Sequence, residues 1–362
     1  MNTSESLEHF PEWRSSCIYI NDAITLRGVS GTAKGVELIE CGLEASGFNV
    51  DRVSPLSRRG RSRLSNAVRA AHWDLWVAHR LAGDGAVLVS PCNVGLARRS
   101  CPHVLWMHDT MVLDHPEWYD TAYHRYARLL FGLSAKRCSR LVTPSQHTAN
   151  RIADRWPRVG PVEVVHWPTT IRADSARVLP PKPWRVLMVA ATEAHKNHIG
   201  AIKAVELARA ILAEDLVLVL IGPEGRSEEE VMRHIKAADP SGRWIQRLKG
   251  ISDAQLEEAY RAAWTLLQPS FDEGFCLPLI EAGAHGTPAV HSGRGAMAEV
   301  MTKVNAESIE PDVLGQRLVE LADPLRYSET SQSALVDCRR MSPARFSAEL
   351  TRLISATLDA HG

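Results

Sequence analysis

The sequence predicts an α/β protein with two parallel-sheet domains, and three observations lead there. From Cys17 onward, short β-branched runs alternate with longer amphipathic stretches, the pattern of strands covered by helices. The alternation is interrupted by a proline-rich stretch and then starts again. A length of 362 residues also exceeds what one hydrophobic core usually fills.

In the first half, strands are expected at Cys17 to Asn21, Ala86 to Ser90, Val104 to His108, Leu141 to Pro144 and Val162 to His166. A glycine-rich turn, Arg27-Gly-Val-Ser-Gly-Thr-Ala-Lys-Gly35, leads from the first strand into a helix with Val36, Ile39 and Leu43 on one face. Ser145, just past a strand, is expected to cap the next helix. At Leu179-Pro-Pro-Lys-Pro-Trp184, three prolines hold the chain extended, and the segment is expected to serve as a semi-rigid hinge. The second half opens with a strand from Arg185 to Ala190, followed by a helix capped by Asn197 with Ile199, Ile202, Val205, Ala208 and Leu212 at helical spacing. Strands follow at Leu216 to Ile221 and Trp244 to Leu248, then a helix opened by Ser252 with Gln255 three residues on, a capping box. A strand from Thr265 to Gln268, a helix beginning near Pro278 and a short strand at Ala289 to His291 complete the series. The expected domains are 1–180 and 181–340, with a C-terminal helix over 341–362 that can return to the first. Two such sheets, facing each other across a cleft, would place functional residues just after their strands.

Composition narrows the function. Forty-two basic and 42 acidic side chains leave no net charge, which argues against nucleic acid as a partner. Hydrophobic residues make up 45% and charged residues 23%, as in ordinary globular proteins. The seven cysteines are odd in number and show no CxxC spacing, so neither a disulfide framework nor a zinc site is expected. The polar N-terminus does not read as a signal peptide, and the apolar run Leu216 to Ile221 is far shorter than the roughly 20 residues of a membrane-spanning helix. The expected location is cytoplasmic.

The strongest chemical signal is Pro269-Ser-Phe-Asp-Glu-Gly-Phe-Cys-Leu-Pro-Leu-Ile-Glu281, which follows a strand and runs into a helix. Pro278 suits a first helical turn because it lacks a donor that would be unpaired there. The amides of Phe275, Cys276 and Leu277 would then form a helix N-terminus that attracts a phosphate or a polar sugar. Glu273 precedes these amides and Glu281 follows, so two carboxylates flank one anion-binding cluster. Either glutamate alone would read as a solvated loop residue or a helix-dipole partner.

This string resembles the EGFGLP-type loop of the family 4 retaining glycosyltransferases of the GT-B fold, with its two glutamates in an E-x7-E arrangement. The resemblance extends through Gly250-Ile-Ser-Asp-Ala-Gln-Leu256, Tyr260-Arg-Ala-Ala263 and Gly286-Thr-Pro288. It implies that Glu273 contacts the transferred sugar and Glu281 holds the ribose hydroxyls of the nucleotide. Cys276 stands where glycine is commoner, which adds a side chain near the donor sugar. Ala190-Ala-Thr-Glu-Ala-His-Lys-Asn197 is similar to the family's VGT-x-x-x-R-K-N segment, which assigns Lys196 to the donor diphosphate. His195 replaces the usual arginine; were it charged and assisting the diphosphate, donor affinity would weaken as pH rises through its titration. Gly31 resembles the glycine packed near the phosphates. Val104-Leu-Trp-Met-His-Asp-Thr110 and His115-Pro-Glu-Trp118 resemble bacterial mannosyltransferase-like members, which places His108 close to the reacting sugar.

The resemblance implies a retaining transferase that moves a hexose, mannose being the best guess, from a nucleotide diphosphate sugar to a hydroxyl of a glycan or lipid-linked acceptor in surface polysaccharide assembly. GDP-mannose is favoured by the His115-Pro-Glu-Trp118 string, with UDP and dTDP sugars open. No metal or other cofactor is expected, since no Asp-x-Asp appears. Peripheral contact with the inner membrane surface through Arg58, Arg59, Arg61 and Arg63, with Trp73 and Trp76 nearby, is a minor alternative. A nucleotide-sugar epimerase and a catalytically weak nucleotide-sugar binding protein are the competing readings.

Overall fold

Where each parallel sheet reverses its direction of growth decides which loops lie side by side. The computed structural model describes residues 17–22, 31–53, 86–95, 102–212, 216–303 and 306–360. The chain divides into two units, Met1–Pro168 with Pro343–Gly362, and Thr169–Ser342.

In the first unit, β1 (Cys17–Asn21), β2 (Asn49–Val53), β3 (Val87–Ser90), β4 (His103–Trp106), β5 (Arg140–Thr143) and β6 (Val162–Val164) pair in parallel in the order β2-β1-β3-β4-β5-β6. Helices α1 (Gly31–Ala45), α2 (Thr121–Arg137) and α3 (Gln146–Arg155) run between strands, because parallel neighbours need crossovers. Growth switches side between β1 and β3. Leu105, Met107, Phe131 and Leu141 belong to the core of this unit. The Ser145 side chain caps α3 by accepting from Thr148 N at 3.1 Å.

The second unit has β7 (Trp184–Val189), β8 (Leu216–Ile221), β9 (Ile245–Leu248), β10 (Thr265–Gln268) and β11 (Ala289–His291), all parallel, in the order β11-β10-β7-β8-β9. Its longer helices are α4 (His198–Ile211), α5 (Glu228–Ala238), α6 (Asp253–Ala262), α7 (Leu277–Ala284), α8 (Pro311–Glu320) and α9 (Pro324–Arg339). The capping box of Ser252 and Gln255 opens α6, and Asn197 caps α4 by accepting from Gly200 N at 3.0 Å. Trp184 and Trp264 stack at 4.7 Å inside the core. Growth switches side between β7 and β10.

Three expectations change. The proline segment 179–184 is no hinge between units; it lies inside the second one, and the first ends at Pro168 rather than at 180. Prolines dictate an extended chain but not what it lies against. Here Arg177 donates to Ala263 O at 2.8 Å and Thr287 Oγ1 at 2.7 Å, its amide donates to Ser331 Oγ at 2.7 Å, and Leu179 packs on the core, so 169–183 is a strap along this unit. The edge strand β2 was not among the strands expected, because its sequence NVDRV is polar and mostly exposed. The basic cluster Arg58, Arg59, Arg61 and Arg63, together with Trp73 and Trp76, lies outside the described residues, as does the turn 27–30.

The last helix, α10 (Pro343–Asp359), belongs to the first unit. Phe346, Leu350, Leu353 and Ile354 form its buried stripe at helical spacing. Gly42 in α1 makes the approach possible, since a Cβ there would sit 2.8 Å from Leu350 Cδ1. Arg140 Nη2 donates to Ala356 O at 2.9 Å, and Arg352 Nη2 to Glu163 at 2.9 Å.

Candidate active site

In an open parallel sheet, the strand ends at the switch of growth direction leave a crevice between two diverging crossovers. In the second unit, that point lies between β7 and β10. The loop after β7 carries His195 and Lys196, and the loop after β10 carries Glu273. Lys196 Nζ donates to both carboxylate oxygens of Glu273, at 2.7 and 2.8 Å. Ser270 Oγ donates to Glu273 Oε1 at 2.7 Å, and the buried Gln268 amide approaches the same oxygen at 3.4 Å. Only 5% of Glu273 is exposed. Burial alone would raise its pKa, but the Lys196 ammonium and the donors around it outweigh burial and hold the carboxyl below its ordinary value. The two loops are also joined through the backbone, with Phe271 N donating to His195 O at 2.8 Å.

The Glu273 backbone is braced from the loop after β11. Ala296 N donates to Glu273 O at 2.9 Å, and Gly295 adopts φ +63° where a Cβ would lie 2.3 Å from that carbonyl. Only glycine fits there. The sequence reading missed Gly295, although Ser292-Gly-Arg-Gly295 directly after a strand was the available signal.

Helix α7 starts at Leu277 with Pro278 in its first turn, and Cys276 is its N-cap at φ +83°, a left-handed conformation that favours glycine. The buried Cys276 thiol is pushed well above its usual pKa by desolvation, so it packs as a small apolar group and is not a nucleophile. Phe275 is buried beside it. Glu281, the fifth residue of α7, is 8% exposed, and its Oε2 accepts from the Tyr260 hydroxyl at 2.8 Å. Both glutamates therefore lie inside the fold, within the same strand-end loop and helix.

Whether His195 can replace the charge of an arginine depends on its surroundings. It is 7% exposed, and desolvation, followed by the neighbouring Lys196 charge, lowers its pKa to about 4. At neutral pH the ring is uncharged, so it offers hydrogen bonding without the charge of an arginine. From about pH 6 to about pH 8, the pH dependence of nucleoside diphosphate binding is expected to be the same in wild type and His195→Asn, measured by titration calorimetry. A pH dependence present only in the wild type would contradict this.

In the first unit, the ends of β3 and β4 lie next to each other. His108 follows β4, its amide donating to Asn93 Oδ1 at 2.6 Å and its Nε2 contacting Pro91 O at 2.5 Å. Burial lowers its pKa to about 4. A carbonyl only accepts, so the proton sits on Nε2 and Nδ1 is the accepting nitrogen. The ring stacks on Trp167 at 5.5 Å, which stacks on Trp106 at 4.6 Å. Gly31 is the first residue of α1, and Gly35, one turn on, lies against this cluster, its Cβ position 3.3 Å from His108 Cε1 and 3.1 Å from Trp167. Sequence reasoning missed Gly35 and Asn93; the positive φ of 61° at Asn93 marks a turn that only coordinates reveal. His115 to Trp118 form a 3-10 turn with the two rings stacked at 4.0 Å. Among the described residues, no group of three His, Cys, Asp or Glu side chains is placed to hold a metal ion.

Residues 171–320 match the family described as Glycosyl transferases group 1, and residues 36–174 match Glycosyltransferase Family 4. The chain belongs to the family 4 glycosyltransferases of the GT-B fold. Within family 4, it is similar to O-antigen chain mannosyltransferase B of Escherichia coli, with 26% identity over 229 residues that cover 58% of either protein. Solved structures share the fold. WaaG, a glycosyltransferase involved in lipopolysaccharide biosynthesis, has a TM-score of 0.71 at 13% identity, over 93% of this chain and 99% of WaaG. HepE from Anabaena, solved with UDP and glucose, has a TM-score of 0.67 at 15% identity, over 94% of this chain and 100% of HepE.

Proposed function

We propose that this family 4 chain transfers a hexose, with mannose the first choice, from a nucleotide diphosphate sugar to a hydroxyl of a glycan or lipid-linked acceptor, with retention and without a metal ion. The observation that carries the reading is the buried Glu273 carboxylate held by both its oxygens to Lys196 at the switch point of the second sheet. A carboxylate kept ionised there can orient sugar hydroxyls and steady positive character at the reacting carbon, while the ammonium beside it meets the charge that grows on a departing diphosphate. Lys196 acts as a point charge, which suits a phosphate whose oxygens shift during bond cleavage. Glu281 is assigned to the ribose hydroxyls. His108, neutral and with Nδ1 accepting, is assigned to a sugar hydroxyl. The acceptor proton goes to the leaving diphosphate.

Mannose is supported by the likeness to mannosyltransferase B, and a UDP sugar remains the alternative because HepE was solved with UDP. Among the described residues, no helix is long and apolar enough to cross a membrane, which is compatible with a peripheral enzyme.

The test has two stages. Nucleoside diphosphates bind only the folded chain, so the cognate one among GDP, UDP, dTDP and ADP should raise the melting temperature. The corresponding hexose donors are then incubated with glycan acceptors, and the anomeric configuration of the product is read by NMR. Transfer with an α-configured donor giving an α-product supports the reading. Stabilisation by none of the four nucleotides, or isomerisation of the donor without any acceptor, would overturn it.

A further inference from the structure

We infer that Tyr260 is a positioning residue for nucleotide binding: its hydroxyl orients the Glu281 carboxylate so that it can receive a ribose diol. This rests on the assignment of Glu281 to the ribose and goes one residue beyond it.

A buried carboxylate needs donors, and their placement decides the direction of its remaining lone pairs. The Tyr260 hydroxyl supplies one at 2.8 Å from Glu281 Oε2. Tyr260 is 1% exposed. Desolvation, then the adjacent Glu281 charge, keeps its phenol protonated far above the ordinary range, so the bond always runs from tyrosine to glutamate. Filling this space would require only a phenylalanine ring. A buried hydroxyl costs free energy unless it is bonded, and here it is directed at a site carboxylate.

Tyr260 is itself held from two sides. Its carbonyl accepts from Thr287 Oγ1 at 2.9 Å, and Thr287 is in turn held by Arg177 of the strap at 2.7 Å. The His285 ring stacks over the phenol at 6.3 Å with an interplanar angle of 23°, and its Nδ1 meets Asp174 Oδ2 at 2.9 Å. Asp174 N also donates to Ala284 O at 2.7 Å, so the strap grips the end of α7, the helix that carries Glu281. Glu281 is thereby oriented through Tyr260, and Tyr260 through His285 and Thr287. This role is separate from chemistry, because the hydroxyl has no part in bond cleavage.

The experiment measures the affinity of UDP and GDP, and of their 2′,3′-dideoxy forms, for wild type, Glu281→Ala and Tyr260→Phe. Wild type should prefer the natural nucleotide by about tenfold, the scale of one charge-assisted hydrogen bond. Glu281→Ala should lose that preference. Tyr260→Phe should keep no more than about threefold of it while binding the dideoxy form as wild type does. Donor KM should rise with kcat nearly unchanged, since the lost interaction is made equally in ground and transition states. A wild-type preference that vanishes in Glu281→Ala but persists fully in Tyr260→Phe would overturn the proposal alone. Equal binding of both nucleotide forms by wild type would overturn the ribose assignment and the proposal with it. Should Tyr260→Phe not fold, Asp174→Asn at an exposed strap position provides the second measurement: a two- to threefold fall in the preference supports the proposal, and an unchanged preference overturns it.

Discussion

Lys196→Met is expected to abolish sugar transfer and to destabilise the second unit by about 3 kcal/mol, and adding Glu273→Gln should restore the stability but not the transfer. The reason lies in what each substitution leaves behind. Without the ammonium, Glu273 is a buried anion whose remaining donors are Ser270 and Gln268, a state far costlier than the loss of one surface ion pair. Glutamine at 273 removes that charge. The double variant then holds two neutral groups of similar shape, and its stability should return to within about 1 kcal/mol of wild type. Glu273→Gln alone should be the milder single change, because the Lys196 side chain is 20% exposed and can turn to water. Transfer should fall by at least about a hundredfold in all three, as removing a preorganised charge from a reacting site does. Urea denaturation and a nucleotide-release assay read the two effects separately. A double variant as unstable as Lys196→Met would show that the pair does not set the stability of this loop.

Acid is expected to unfold the second unit well above the pH at which ordinary carboxylates protonate. His195, His198 and His291 are 7%, 3% and 0% exposed, and desolvation lowers each to about 4. The unfolded chain takes up these protons near pH 6.5, while the folded chain resists them until about 4. Between those values the unfolded state binds more protons, so stability falls as pH falls. Each such proton is worth about 3 kcal/mol, and three together rival the roughly 5 to 15 kcal/mol that holds a domain folded. The expected result is a cooperative loss of near-UV circular dichroism with a midpoint near pH 5, shifted to lower pH in His198→Gln. A second unit that remains folded at pH 4 would contradict neutral burial of these rings. His108 adds the same tendency to the first unit.

The Lys196–Glu273 pair shows why part of the site was legible before any coordinates and part was not. Each residue belongs to a string that marks its own loop, so the sequence resemblance assigned both to one donor molecule. The two are 77 positions apart in the chain, and no local pattern says that the ammonium binds both carboxylate oxygens. The charge state of His195 was equally hidden, since imidazole titration depends on how many atoms displace water around it. Gly35 and Gly295 carry function-related packing, but a glycine's role depends on what would collide with a Cβ, and the colliding atoms come from Trp167 and from Glu273.

By itself, the sequence determined the alternation of strands and helices, the start of α4 at Asn197 and of α6 at Ser252, and the strand-loop-helix string that bears both glutamates. These depend on periodicity and on hydrogen bonds spanning only a few residues. Only the tertiary structure decided that β2 pairs with β1 at the edge of its sheet, that the proline segment is a strap held by Arg177, and that α10, expected to return to the first unit, is seated there against Gly42. Those outcomes rest on contacts between residues distant in sequence, whose free energy exists only once the intervening chain has folded.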